Sequence, residues 1–385
     1  MKQMQNYAKK QKRITLFTYF LFSAIMFSCV GQSQVSNTIE PGKVWRDNRG
    51  IHINAHGGGL LYREGIYYWY GEHKDTDSNV ANVGINCYSS KDLKNWHYEG
   101  VVLPVDNDND SSDIAAGCII ERPKVVYNSK TGKYVLWFHL ELKGKGYEAA
   151  RVALAVSDNP VGPFTYLRSY RPNPEIYPLN MTEEQKQLAL NTEIPEKGNP
   201  ERVRAGEKGV FLCRDLAGGQ MSRDMTIFVD DDLRAYHIYA SEENQTLHIA
   251  ELSDDYMSHT GRYVRILPGK RNEAPTIMKK DGKYYLITSG TTGWNPNAAR
   301  MAVADHIFGP WTELGNPCVG KGADLTFHSQ GTYIQKIPGK KDKYVFMADR
   351  WNPENPIDGR YVWLPVFFEN GRPVLKWMDS WIVSE

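Results

Sequence analysis

The sequence predicts an all-β chain folded as a five-bladed β-propeller, and three observations carry that expectation. One hairpin phrase, an aromatic strand, a tight turn and a second apolar strand, recurs five times along the chain. Aromatic residues make up 12%, with 23 Tyr and 10 Trp, and 33 Gly and 20 Pro supply turns, a mixture suited to many short strands. The 385-residue length allows one large domain or two ordinary ones. A β-sandwich is the rival arrangement, but the even recurrence of the hairpins favours radial repetition.

Taken in order, the chain opens with Lys9, Lys10, Lys12 and Arg13 before the apolar run ITLFTYFLFSAIMF, then Ser28 and Cys29. That layout predicts an export signal over residues 1–28, too short and too soon polar for a membrane span. Cys29 sits where a bacterial lipoprotein would carry its lipid, which would anchor the chain to a membrane face without spanning it. Cleavage without lipidation is the alternative. The chain is then expected outside the cytoplasm, periplasmic or anchored to an outer membrane, otherwise secreted. Residues 29–42 read as a polar linker, and residues 43–385 as the propeller.

The first unit runs from GLLYREGIYYWYGE to INCYSSKDLKNWHYEG, and the second from PKVVYNSKTGKYVLWFHL to RVALAVSDNPVGPFTYLRS. MTIFVDDDLRAYHIYAS and LHIAELSDDYMSHTGRYVRI form the third. PTIMKKDGKYYLITSG and RMAVADHIFGPWTEL form the fourth, and TYIQKIPGKKDKYVFMADRW and YVWLPVFFENGRPVLKW the fifth. REG, DDD and KDG mark hairpin turns. Phe164 and Trp311, in matching GPF and GPW positions, read as blade core. An insertion at about 170–215 breaks the rhythm; within it Thr182 and Gln185 predict a capping box for a short helix. It could wall a cleft or be a solvated excursion.

A formal net charge of +1 gives no field for nucleic acid and suits a neutral substrate. Cys87, Cys118, Cys213 and Cys318 are spaced too widely for a metal cluster or a dense disulfide scaffold, leaving one or two bridges or buried thiols.

In a propeller the innermost strands converge on a channel. The residues at their entrances are His56 before GGG, Glu121 before RPKVVY, Asp224 before MTIFV, Glu273 before APTIM and Gln330 before GTYIQ. Polar groups beside apolar strands are costly unless paired or facing a cavity. A hydrogen-bond network that orders the channel is the plain reading for His56 and Asp224. For Glu121 and Glu273, two carboxyls facing one cavity can divide acid and anionic roles, as glycoside hydrolysis requires. Glu273 is the expected acid. Trp294, Asn295 and Asn297 suit a sugar-binding loop, although an ordinary exposed loop has the same composition, and Trp351 suits a platform for a sugar ring.

The phrases HGGGLL, YYWYGE, ERPKVVYN, SRDMTIFVDDD, NEAPTI, TSGTTGW and SQGTYI together resemble glycoside hydrolase family 43, in particular its exo-β-1,3-galactanase branch, over roughly residues 45–382. The resemblance implies an inverting enzyme that releases terminal β-linked galactose from β-1,3-galactan or arabinogalactan side structures. It implies Glu273 as general acid and Glu121 as a substrate-holding carboxylate. The first blade reads INAHGGGLL and lacks the aspartate that is the base in most of the family. In the galactanase branch a glutamine takes that place, matched here by Gln330, as an imidic base or as a group orienting water while Glu72 or Glu121 accepts the proton. Glu72, Asp224, Arg122 and His56 complete the expected sugar site with Trp294, Asn295 and Trp351. The resemblance implies no organic cofactor and leaves room for calcium in the central channel, near His56 or Asp224. DNDNDSSD, residues 106–113, lacks the glycine and final glutamate of an EF-hand loop. An α-L-arabinofuranosidase or β-xylosidase of the same family, or a non-catalytic glycan-binding propeller, are the alternatives. The expected partner is a polysaccharide or oligosaccharide.

Overall fold

A computed structural model describes residues 38–74 and 83–383 of the chain. The expected export signal, and Cys29 with the lipidation expected there, lie outside the described residues. Five antiparallel sheets follow one another in sequence order. Their inner strands are His56–Arg63, Ile119–Asn128, Met225–Val229, Asn272–Lys280 and Gln330–Lys336, in blades 1 to 5 respectively. Each inner strand touches the next, and that of blade 5 returns to blade 1, so the ring closes as the expected five-bladed propeller.

Local chemistry explains the hairpins. Glu64-Gly65, Asp281-Gly282 and Asn370-Gly371 each place two consecutive residues at positive φ, the type I′ pattern whose twist matches the flanking strands. Second strands are apolar on both faces because each blade is covered on both sides: Ala235–Ser241 (AYHIYAS) is buried throughout. Outer strands such as Thr165–Tyr170 and Thr312–Gly315 are polar and mostly exposed.

The core is divided among the blade interfaces. Tyr70, Phe138 and Phe164 pack between blades 1 and 2; Trp137 and Tyr239 between 2 and 3; Ile238 and Leu286, with Trp311 at the edge, between 3 and 4; Phe346 and Leu364 between 4 and 5. Blades 5 and 1 are joined by an aromatic cluster in which Trp69 lies 4.5 Å from Tyr361 and 4.7 Å from Trp363. Each such pair adds about 0.5–1.5 kcal/mol beyond its burial. One further piece fastens this seam. Thr38–Ile39, inside the stretch expected as linker, pairs with Trp381–Ile382. Cys318–Val319 adds a parallel strand to the outer edge of blade 5.

Between blades 2 and 3 the chain forms three helices, Glu183–Leu190, Arg202–Lys208 and Val210–Asp215. The capping box of Thr182 and Gln185 is present on the first. All four cysteines after Cys29 are free, and all but Cys213 are buried. Among the described residues no helix is long and apolar enough to cross a membrane.

Candidate active site

The site begins with a repeated irregularity in the inner strands. The ladder to the second strand slips after His56, after Glu121 and after Glu273. The following residues, Gly57, Arg122 and Ala274, all take positive φ, at 60°, 56° and 51°. A bulge of this kind re-aims the side chain before it. Pro123 and Pro275 suit the next position, since they bring no N–H to an interrupted ladder.

Each bulge leaves a backbone N–H without a ladder partner, and a carboxylate from the blade before it accepts that bond. Glu72 Oε1 takes the Arg122 N–H at 3.0 Å, Asp224 Oδ2 the Ala274 N–H at 3.0 Å, and Asp349 Oδ2 the Gly57 N–H at 2.6 Å. Three acids of the channel mouth are thus also the stitching between blades. Burial raises the Glu72 carboxyl, against the pull of Lys74, whose ammonium lies 2.6 Å from it. Burial also pushes Asp349 up to about 7.

Around this frame lies a cavity of about 330 Å³ lined by Glu121, Asp224, Glu273, Trp294, Gln330 and Trp351, among others. Arg122 organises its floor. Its guanidinium grips Asp224 with two bonds of 3.0 and 2.8 Å and reaches Gln330 Oε1 at 2.6 Å. A fork of this geometry orders carboxylate and amide together.

The two glutamates expected to divide the chemistry sit in opposite environments. Burial would raise the Glu121 carboxyl, but His139 at 3.0 Å and the Tyr147 hydroxyl at 2.6 Å hold it down at about 2. The other ring nitrogen of His139 meets Glu141 at 2.9 Å. Against its own burial, the two glutamates raise His139 to about 9, so it stays protonated between them. Glu273 has no such cation of its own. Burial, then the charge of Asp224, raises it to about 8 against the opposing charge of Arg122. One carboxyl is fixed as an anion and the other keeps its proton at neutral pH.

Gln330 is oriented without ambiguity. Its oxygen accepts from Arg122 and from Trp351 Nε1 at 2.9 Å, and both of those groups can only donate. Its amide nitrogen therefore faces Glu273 Oε1 at 3.1 Å and Ser289 Oγ at 2.9 Å.

Of the expected site residues, Glu72, Glu121, Arg122, Asp224, Glu273, Trp294, Gln330 and Trp351 line the one cavity. His56 does not. It is fully buried, stacked on Tyr361 at 5.5 Å, and blade 1 reaches the cavity instead through its cross-strand partner Glu72 and through Lys74. Asn295 lines a neighbouring recess with Ser289 and Asp349 rather than the main cavity. Asn297 is spent on its own loop, bonding both backbone groups of Gly290 at 2.7 and 2.9 Å. The acidic run 106–113 is not part of the cavity lining; Asp113 accepts from Tyr166 and Ser169, and Asp110 pairs with Lys143.

Besides Gly293, five lining side chains escaped the sequence reading: Lys74, His139, Tyr147, Arg223 and Asn244. His139 could have been suspected from strand alternation, since it and Glu141 share a face two residues apart. The other four carry no local signal.

Glu121, His139 and Asp224 bring ligand-type atoms within 4.8 Å of one another. Calcium wants six to eight oxygens, and this set does not fit it. His139 is protonated between carboxylates, and Asp224 is held by Arg122 and the Ala274 N–H. Beneath the site the Lys124 ammonium binds the carbonyls of Gly57, Arg122 and Pro123 at 2.9, 3.3 and 3.3 Å, placing a cation of the chain's own there. Neither nitrogen of His56 lies nearer than 3.9 Å to Asp349.

Comparison with known proteins gives a consistent picture. Residues 211–364 match the family model described as glycosyl hydrolases family 43. A solved family-43 β-1,3-galactosidase, bound to galactodeoxynojirimycin, is 56% identical; the match covers 89% of this chain and 100% of that one, with a TM-score of 0.85. An exo-β-1,3-galactanase from Clostridium thermocellum is 37% identical over 89% of this chain and 66% of its own, TM-score 0.72. One from Phanerochaete chrysosporium, solved with β-1,3-galactotriose, is 30% identical over 90% and 68%, TM-score 0.72. Among curated proteins, a β-D-galactofuranosidase from Aspergillus niger is 27% identical over 165 residues, and the match spans 47% of that protein, about half its length.

Proposed function

The chain belongs to glycoside hydrolase family 43, and from that premise we propose that it is an exo-acting, inverting glycosidase releasing terminal β-linked galactose from β-1,3-galactan or arabinogalactan side structures. The single observation that carries the reading is Glu273, a carboxyl kept protonated to about pH 8 inside a cavity with two tryptophans. An acid in that state can protonate the glycosidic oxygen as the bond breaks. Trp294 and Trp351 supply apolar faces for a sugar ring, and Glu121, anionic at all working pH, holds hydroxyls. A cavity of about 330 Å³ is at the small end of ligand sites, which suits a chain end. The names of the solved relatives support galactose as the sugar.

Gln330 acts in this reading as an orienting amide. An imidic tautomer would turn an O–H toward Arg122 and Trp351, two groups that only donate, so the bonds in place favour the amide form. No step requires a metal or an organic cofactor. The composition of residues 1–28 supports export, with attachment to a membrane through lipid on Cys29.

The test is galactose release from β-1,3-galactan by wild type and Glu273→Gln. Release by wild type that falls at least a hundredfold in the variant is expected. The loss should be smaller on p-nitrophenyl β-galactoside, whose leaving group departs without protonation. Release of arabinose or xylose instead would overturn the substrate. Binding of galactan without turnover of any sugar would overturn the enzymatic reading.

A further inference from the structure

The insertion between blades 2 and 3 contributes nothing to the cavity lining through residue 215. It packs instead behind the hairpin turn of blade 3 that carries Asn244. In that turn Glu242, Glu243 and Asn244 take φ of 54°, 56° and 62°, three consecutive left-handed residues without a glycine. Such a run is costly for side-chain-bearing residues and persists only where its surroundings impose it.

Both glutamates of the turn are gripped. Glu242 is fully buried, bound by Arg265 at 2.6 and 2.8 Å and by His248 at 2.8 Å, and Arg265 in turn donates to the insertion's Gly206 carbonyl at 2.6 Å. Glu243 is held by Arg202 and Arg214, one from each of the insertion's last two helices. Those arginines lie over the face of Phe211, 4.7 and 5.2 Å from its centre, so their own positions are set by packing. The next residue, Asn244, lines the cavity, and its amide nitrogen is 3.4 Å from Glu273 Oε2.

We propose that the insertion is a positioning device for the catalytic acid: Arg202 and Arg214, through Glu243, hold the turn that keeps the Asn244 amide on Glu273. This rests on the assignment of Glu273 as the acid. Asn244 and the two arginines are positioning residues, since none of the arginines reaches the cavity. The other groups that face Glu273 are Asp224, Arg122, Glu121 and Gln330. Arg122, Glu121 and Gln330 come from blades 2 and 5, and Asp224, at the entrance of blade 3, is held by Arg122 and by the Ala274 N–H rather than by the insertion.

An N–H donated to a carboxyl favours its ionised form. Releasing the turn should therefore make Glu273 hold its proton to higher pH. It should also lower kcat on galactan about tenfold through misplacement of the acid. The experiment compares urea denaturation with and without E273Q across pH 4–10, in wild type, R202Q/R214Q, R202K/R214K and N244A. The pH at which the stability gap between a background and its E273Q partner stops growing reports Glu273 ionisation, with no ligand or turnover needed. R202Q/R214Q and N244A should move that point up by about half a pH unit or more, and R202K/R214K should leave it unchanged. The basic limb of kcat/KM should move with it. If R202Q/R214Q lowers stability while the point stays at its wild-type pH, the insertion merely holds the fold together and the proposal fails. An unmoved point in N244A overturns it too, and serves if the double variant does not fold. Absence of galactoside turnover in wild type would sink the proposed function and leave this ionisation readout intact.

Discussion

Glu273→Gln should make the protein more stable at alkaline pH, by an amount the structure sets. In the folded chain the Glu273 carboxyl is raised from 4.5 to about 8 by burial and by Asp224. Below about pH 4.5 it is protonated folded and unfolded alike. Between that pH and about 8 the unfolded chain has released the proton and the folded chain has not. The folded state then binds more protons, and its stability falls as pH rises through this window. One pH unit is worth about 1.4 kcal/mol, so from pH 5 to pH 8 wild type should lose up to about 4 kcal/mol relative to the glutamine variant. That is a large part of the roughly 5–15 kcal/mol a domain of this kind has in total. Urea denaturation of both proteins at each pH, with matched m-values, reads the gap directly. A gap that is the same at pH 5 and pH 8 would refute the raised carboxyl. It would remove the physical basis for Glu273 as an acid near neutrality.

Arg122→Lys keeps the charge and loses the fork to Asp224 together with the bond to Gln330; kcat/KM should fall at least tenfold with little change in melting temperature, checked by steady-state kinetics beside calorimetry. His139→Ala strips the cation from between Glu121 and Glu141 and should cost about 3–5 kcal/mol. Because His139 is raised from 6.5 to about 9, its contribution is complete below pH 6.5 and gone above pH 9, so the penalty should shrink across that interval in denaturant titrations. Trp351→Phe retains an apolar face and loses the N–H to Gln330; kcat should drop several-fold while KM for galactan stays within about twofold, a loss of about 1 kcal/mol.

Much of the fold was legible because its causes are local. Alternation of apolar residues, and turns such as Glu64-Gly65 and Asp281-Gly282, act within a few residues, so hairpins could be read directly and their fivefold recurrence made the propeller. The entrance residues Glu121, Asp224, Glu273 and Gln330 were legible for a related reason. Each stands at the same place in a repeated unit, and two of them open an E-x-P step that the structure shows as a bulge. His56 occupies the matching place in blade 1 and misled. The bulge there is present, but the polar groups of blade 1 that reach the cavity are Glu72, from the strand beside it, and Lys74 just beyond.

Lys74, His139, Tyr147, Arg223 and Asn244 had no comparable mark, since each earns its place from what the ring brings opposite it. Asn297, by contrast, had the right composition for a sugar contact and was consumed by its own loop. The insertion, read as a cleft wall or a solvated excursion, leaves the main cavity unlined through residue 215 and grips the turn that carries Asn244.

What the sequence determined by itself was the strand plan, the repeat number and the residue types at the channel mouth, all set by short-range pattern and turn chemistry. Only the tertiary structure decided the opposite environments of the two glutamates, with Glu273 raised to about 8 and Glu121 held down at about 2. Arg122 meets Asp224 across 102 residues and Gln330 across 208. A carboxyl's proton affinity is set by its burial and by charges a few ångströms away, and those neighbours come together only when the ring closes.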